Sequence, residues 1–140
     1  MKIFFLVVLI FSVLNSRCQN FFDLKEALDS TYGYSNQNPI KIRVGNQNKS
    51  LEYSIRFLQQ LMTADGQNLL FFWRGSVSDP NYKQPLLRNR FTGMPLNGKL
   101  GILDKYIFIT ETKKDTIILY IDVYNRGKLQ IPQRLKLKQN

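Results

Sequence analysis

Two carboxylates and three tyrosines recur through the last third of the chain: Asp104, Tyr106, Tyr120, Asp122 and Tyr124. Paired carboxyls can do acid–base chemistry when their environments push their pKa values apart. Flanking tyrosine rings can offer a platform to a sugar ring, or simply pack against one another across neighbouring strands. A second group lies upstream in LLRNRFTG, where Arg88 and Arg90 bracket Asn89 next to Phe91. The planar guanidinium fork suits phosphate and carboxylate ligands because it donates hydrogen bonds in pairs. GMPLNGKL adds Lys99 in a G-x-x-x-x-G-K spacing from Gly93 to Gly98 and Lys99. A phosphate loop needs a Ser or Thr after that lysine, a strand before it and a helix after it. Leu100 replaces the hydroxyl, and the segment follows an irregular loop, so a turn before a strand is the expectation.

Composition narrows the chemistry further. The 140 residues contain no histidine and one cysteine, Cys18. The commonest general base and the commonest metal ligand are therefore missing. Neither a nucleophile elbow nor a cysteine pair is present, and no cofactor is expected. The formal charge of +10 favours polyanions such as phosphorylated glycolipids or an anionic membrane face, while also serving solubility.

The first residues read as an address. Lys2 precedes a twelve-residue apolar run, Ile3 to Leu14, too short to span a bilayer, which takes about 20 residues, and suited to an export signal. Cleavage after Cys18 sets Ser16 and Cys18 at the small-residue positions and starts the mature chain at Gln19. Lipidation of Cys18 is the alternative, with Arg17 where a lipobox carries a small residue. Loss of Lys2 and Arg17 lowers the charge from +10 to +8. Residues 19–140 fit one domain of roughly 120 residues, large enough to hold a core without disulfides.

Periodicity supplies the elements that must position these side chains. NFFDLKEALDS, Asn20 to Ser30, has helical spacing, and PIKIRV alternates as an edge strand. SLEYSIRFLQQLMT, Ser50 to Thr63, is the main helix, with Ser50 as cap and Leu51, Ile55, Leu58, Leu61 and Met62 on its apolar stripe. LLFFWRGSV is a strand, and Ser78 to Lys99 is a long loop. LGILDKYIFITE and TIILYIDVYN form a hairpin. A three-residue tip, Lys113 to Asp115, would pair Phe108 with Tyr120, Tyr106 with Asp122 and Asp104 with Tyr124, gathering the tyrosines and carboxylates on one face. KLQIP is a last short strand before a basic tail. The class is α+β: an antiparallel sheet of about four or five strands covered on one face by the main helix.

YGYS, NPIK, RFLQQL, RGS, ILDKY and ILYIDVY, in that order, resemble a family of small exported proteins from Bacteroidota-type bacteria. Some of its members carry the label dehydro-deoxy-phosphooctonate aldolase. That resemblance implies an exported chain and, through the label, an enzyme acting on a phosphorylated sugar acid, with Arg88, Arg90 and Lys99 as anion ligands. Aldolases of that substrate class use a barrel of about 250 residues, twice the length available. The first expectation is thus a non-catalytic envelope or periplasmic protein binding a partner protein or an anionic glycan. Its face would comprise Asp104, Tyr106, Tyr120, Asp122 and Tyr124, with Arg88 and Arg90. The small enzyme is the alternative, and a homo-oligomeric structural protein is a third. Nucleic acid is not expected as a partner of an exported chain, and membrane attachment would come through a lipidated Cys18.

Overall fold

The computed structural model describes residues 21–139. The expected export signal and Cys18 lie outside the described residues. Six strands and one α-helix follow in the order β1 (Ile40–Lys41), α1 (Gln47–Gln60), β2 (Leu61–Thr63), β3 (Leu69–Ser78), β4 (Ile102–Thr110), β5 (Thr116–Asp122) and β6 (Leu135–Leu137). The class is α+β. The main sheet runs β1-β5-β4-β3, and β2 pairs with β6 in a small second sheet. It is mixed and not wholly antiparallel: Ile40 pairs with Ile121 and Lys41 with Asp122 in parallel register.

Helix α1 starts three residues before the expected position. Asn46 is the cap, its Oδ1 accepting from the Lys49 N–H at 2.9 Å. Ser50 lies inside, where its hydroxyl donates to the Asn46 carbonyl and accepts from the Val44 N–H, both at 2.9 Å. The buried stripe is Ser50, Ser54, Phe57 and Leu58, with Leu61 just beyond the last turn, while Ile55 is exposed. Ser50 donates to the carbonyl of the cap and Ser54 to that of Leu51, so small polar residues are buried with their hydroxyls satisfied. The helix ends at Gln60 and not at Thr63, because Leu61 to Thr63 pair with Leu137 to Leu135. That partner strand falls in the tail after KLQIP, where Leu135 and Leu137 alternate with lysines.

KLQIP itself forms no strand; Ile131 makes a single parallel bridge to Glu26. The same pairing replaces the expected helix from Asn20 to Ser30. Among the described residues of that stretch, which leave out Asn20, Phe21–Asp23 alone is helical, as a 3-10 turn, and Ala27 then donates to the Ile131 carbonyl at 2.8 Å. Leu28, expected on the helix stripe, points to solvent. Phe21 still serves the core, with its ring 5.1 Å from that of Tyr53 and 5.6 Å from that of Phe57.

The hairpin register decides the site. Asp104 pairs with Ile121, Tyr106 with Leu119 and Phe108 with Ile117, three residues away from the expected pairing. An odd slip sends every side chain of one strand to the other face. The cause is a longer tip: Thr110 closes it against Asp115, and Lys113 adopts φ +56°. Thr112 does not face Thr116; its hydroxyl donates to Gln67 Oε1 at 2.9 Å. The inner face, carrying Tyr106, Phe108, Leu119 and Ile121, packs with Phe57, Leu58 and Leu61 into one core.

Candidate functional site

The single tyrosine–carboxylate face is not formed. Asp104 and Tyr106 share the inner face with Ile121 and Leu119, whereas Tyr120, opposite Lys105, and Asp122 lie on the outer face. Tyr124 follows β5; it is buried, and its hydroxyl accepts from Gln47 Nε2 at 3.1 Å. Burial first, and then the Asp104 carboxylate, push the Tyr106 and Tyr124 phenols above their ordinary value of 10.0. Tyr106 is only 3 % exposed and its hydroxyl has no hydrogen-bond partner. The Arg74 guanidinium lies 5.5 Å from the Tyr106 ring centroid and bridges to Asp104 at 3.1 Å. These groups stabilise the packing beside β3. Tyr106 also helps wall an apolar groove of about 380 Å³ with Ile55, Leu58, Phe71, Phe108 and Lys138.

Asp122 belongs to a different place. It is 2 % exposed, and its Oδ1 accepts from the Tyr124 N–H at 2.9 Å and the Asn125 N–H at 3.0 Å. Its Oδ2 accepts from Asn125 Nδ2 at 2.8 Å. Asn125 Oδ1 in turn accepts from Lys99 Nζ at 2.6 Å. A buried carboxylate thus orients an amide, and the amide holds a lysine. Around this chain opens a polar cleft of about 280 Å³, whose wall includes Lys41, Asn81, Tyr82, Lys83, Asn97 and Lys99. Lys41 enters because β1 pairs in parallel with the end of β5.

The long loop forms the cleft's other wall, and its start is pinned to the segment just before β4 by two contacts. Asp79 donates its N–H to the Gly101 carbonyl at 3.0 Å, and the Tyr82 hydroxyl donates to the Lys99 carbonyl at 2.9 Å. Gly101 has φ +65°, and a Cβ there would stand 2.2 Å from the Tyr82 ring. Only glycine permits this approach. Past Lys99 lies a second cavity of about 150 Å³, which shares Asn97 and Lys99 and adds Arg43, Gln47 and Tyr124. Among the described residues none of Lys41, Arg43, Lys83 and Lys99 is in an ion pair. Two carboxylates also line the cleft: Asp79, whose Oδ1 accepts from the Asn81 N–H at 2.9 Å, and Asp122, which has both oxygens engaged inside the protein.

Of the expected anion ligands, the cleft takes Lys99 and leaves Arg88 and Arg90 out. Those two sit in the outer turn of the loop, where Arg88 Nη1 donates to the Gly93 carbonyl at 3.4 Å. Gly98, at φ +69°, turns the chain into β4 without opening a helix, which removes the phosphate-loop geometry. Lys41, Asn81, Lys83, Asn97 and Asn125 had no motif to mark them. Lys41 alone carried a signal, as the polar position in the Ile40–Ile42 alternation. Among the described residues no cluster of three acidic or cysteine side chains could hold a metal ion, and no helix is long and apolar enough to cross a membrane. No protein-family model, curated protein or solved structure matches the chain.

Proposed function

We propose that the protein is an exported, non-catalytic binding protein of the cell envelope whose ligand is an anionic saccharide held in the Lys41–Lys83–Lys99 cleft. The observation that carries this reading is the convergence of three lysines and three asparagines, Asn81, Asn97 and Asn125, on one cleft where the lysines outnumber the two carboxylates, Asp79 and Asp122, both of which accept hydrogen bonds from the protein itself. Asparagine side chains donate and accept, as sugar hydroxyls require. Lysines supply the charge for a carboxylate or phosphate substituent. The adjoining Arg43 cavity, joined through Lys99, gives room for a further charged residue of an oligosaccharide. Asp104 and Asp122 lie on opposite faces of the sheet, which favours binding over acid–base turnover. The aldolase reading loses support because Arg88 and Arg90 do not join Lys99.

Calorimetric titration with a uronic-acid oligosaccharide and with a phosphorylated one tests the assignment. Binding is expected for at least one of them, weakened at least tenfold in Lys99→Gln and in Lys41→Gln. Arg90→Gln, outside the cleft, should bind as the wild type does. Equal affinity in all three variants would refute the site.

A further inference from the structure

From Pro80 to Leu103 the chain carries four cations, Lys83, Arg88, Arg90 and Lys99, and no carboxylate. The outer part of this segment is a turn built on Asn89. Its Oδ1 accepts from the Phe91 and Thr92 N–H groups at 2.9 and 3.0 Å, its carbonyl accepts from the Gly93 N–H at 2.9 Å, and its own N–H donates to Met94 at 2.8 Å. The turn points apolar side chains away from the protein: Leu86 is 101 % exposed, Phe91 95 %, Leu87 70 % and Leu96 62 %. Single exposed apolar residues are ordinary; four on one self-bonded, wholly cationic turn are not.

We propose that this turn docks the protein onto an anionic lipid surface. Leu86, Leu87, Phe91 and Leu96 enter the boundary between headgroups and acyl chains, and Arg88 and Arg90 lie at the level of the lipid phosphates. Charge selects the partner, since a segment without carboxylates is attracted to an anionic leaflet by every ionisable group it has. Shape separates a bilayer from a protein. A protein partner would need pockets cut to each protruding side chain, whereas a bilayer accepts isolated apolar tips and lets arginine stems lie along them. Docking at the turn would place the cleft, whose Lys83 and Lys99 flank it in the chain, next to the membrane.

Flotation of the full-length mature protein with vesicles tests this. Vesicles of phosphatidylglycerol in phosphatidylcholine should bind it at least tenfold better than phosphatidylcholine alone at near-physiological salt. Leu87→Ser with Phe91→Ser keeps the charge and should lower binding roughly tenfold. Arg88→Gln with Arg90→Gln should abolish most of the preference for the anionic vesicle, each cation near the surface contributing about a fivefold factor. Lys113→Gln with Lys114→Gln removes the same charge from the exposed hairpin tip and should bind as the wild type does. The changed residues are all exposed, and unaltered thermal melting confirms folding. Absence of vesicle binding would overturn the proposal, as would full binding by the double-serine variant, or equal loss at the hairpin tip, which marks diffuse attraction only. Binding to an acidic protein without binding to vesicles would overturn it too.

Discussion

Asp122 and Tyr106 are almost equally buried, at 2 % and 3 % exposure, yet their surroundings are opposite. The Asp122 corner, at the β1–β5 side of the sheet, satisfies its polar groups with one another. Three hydrogen bonds hold the carboxylate, and Asn125 passes its orientation on to Lys99. The β3 flank, on the other side, packs Tyr106 between Arg74 and Phe108 and leaves the phenol without a partner. A satisfied buried polar network fixes side chains in one arrangement, while an unsatisfied one costs stability. Burial alone therefore does not separate a site from a core; what the polar atoms touch does.

Asp122→Ala should break this contrast most severely. It removes three hydrogen bonds to a buried carboxylate and frees the Asn125 amide, lowering stability by about 3 kcal/mol in urea denaturation and releasing Lys99. Tyr106→Phe should act in the opposite direction, raising stability by about 1 kcal/mol because it deletes an unpaired buried hydroxyl. Its effect should grow in alkali. Because the folded protein holds this phenol above its ordinary value of 10.0, the wild type keeps its stability below pH 10.0 and loses part of it as pH rises through the raised value. Tyr106→Phe should accordingly unfold at a higher pH than the wild type. Equal alkaline midpoints would show that the Tyr106 phenol is accessible to water.

The smallest expected effect lies on the outer face of β3. A Cβ at Gly75 would meet the far edge of the Trp73 ring at 1.9 Å, so the indole lies across that glycine. Gly75→Ala should push the ring outward at a cost below about 1 kcal/mol, since only the end of a side chain must move. Trp73 is the sole tryptophan, and its emission should shift to the red. Unchanged emission would contradict the contact.

The elements were legible where one physical signal dominated, as in the apolar run of β3 and the alternation of β4 and β5. They blurred where two residues competed for one role. Asn46 and Ser50 both suit a helix cap, and spacing alone does not show that Ser50 and Ser54 are buried with their hydroxyls bonded to the Asn46 and Leu51 carbonyls. In the hairpin, the length of the tip controlled which face every side chain took, and Lys113 at positive φ lengthened it. The cleft was the least legible part. Lys41 and Asn125 are brought together only by a parallel pairing between strands at opposite ends of the chain, and no local pattern encodes that.

The central claim is that the Asp122 corner takes the ligand and the β3 flank does not. Hydrogen exchange with and without a phosphorylated or uronic-acid oligosaccharide tests it most directly. The claim predicts added protection at residues 79–83, 97–101 and 122–125, with β3 unchanged. Protection centred on β3, or on neither region while binding is saturated, would contradict it.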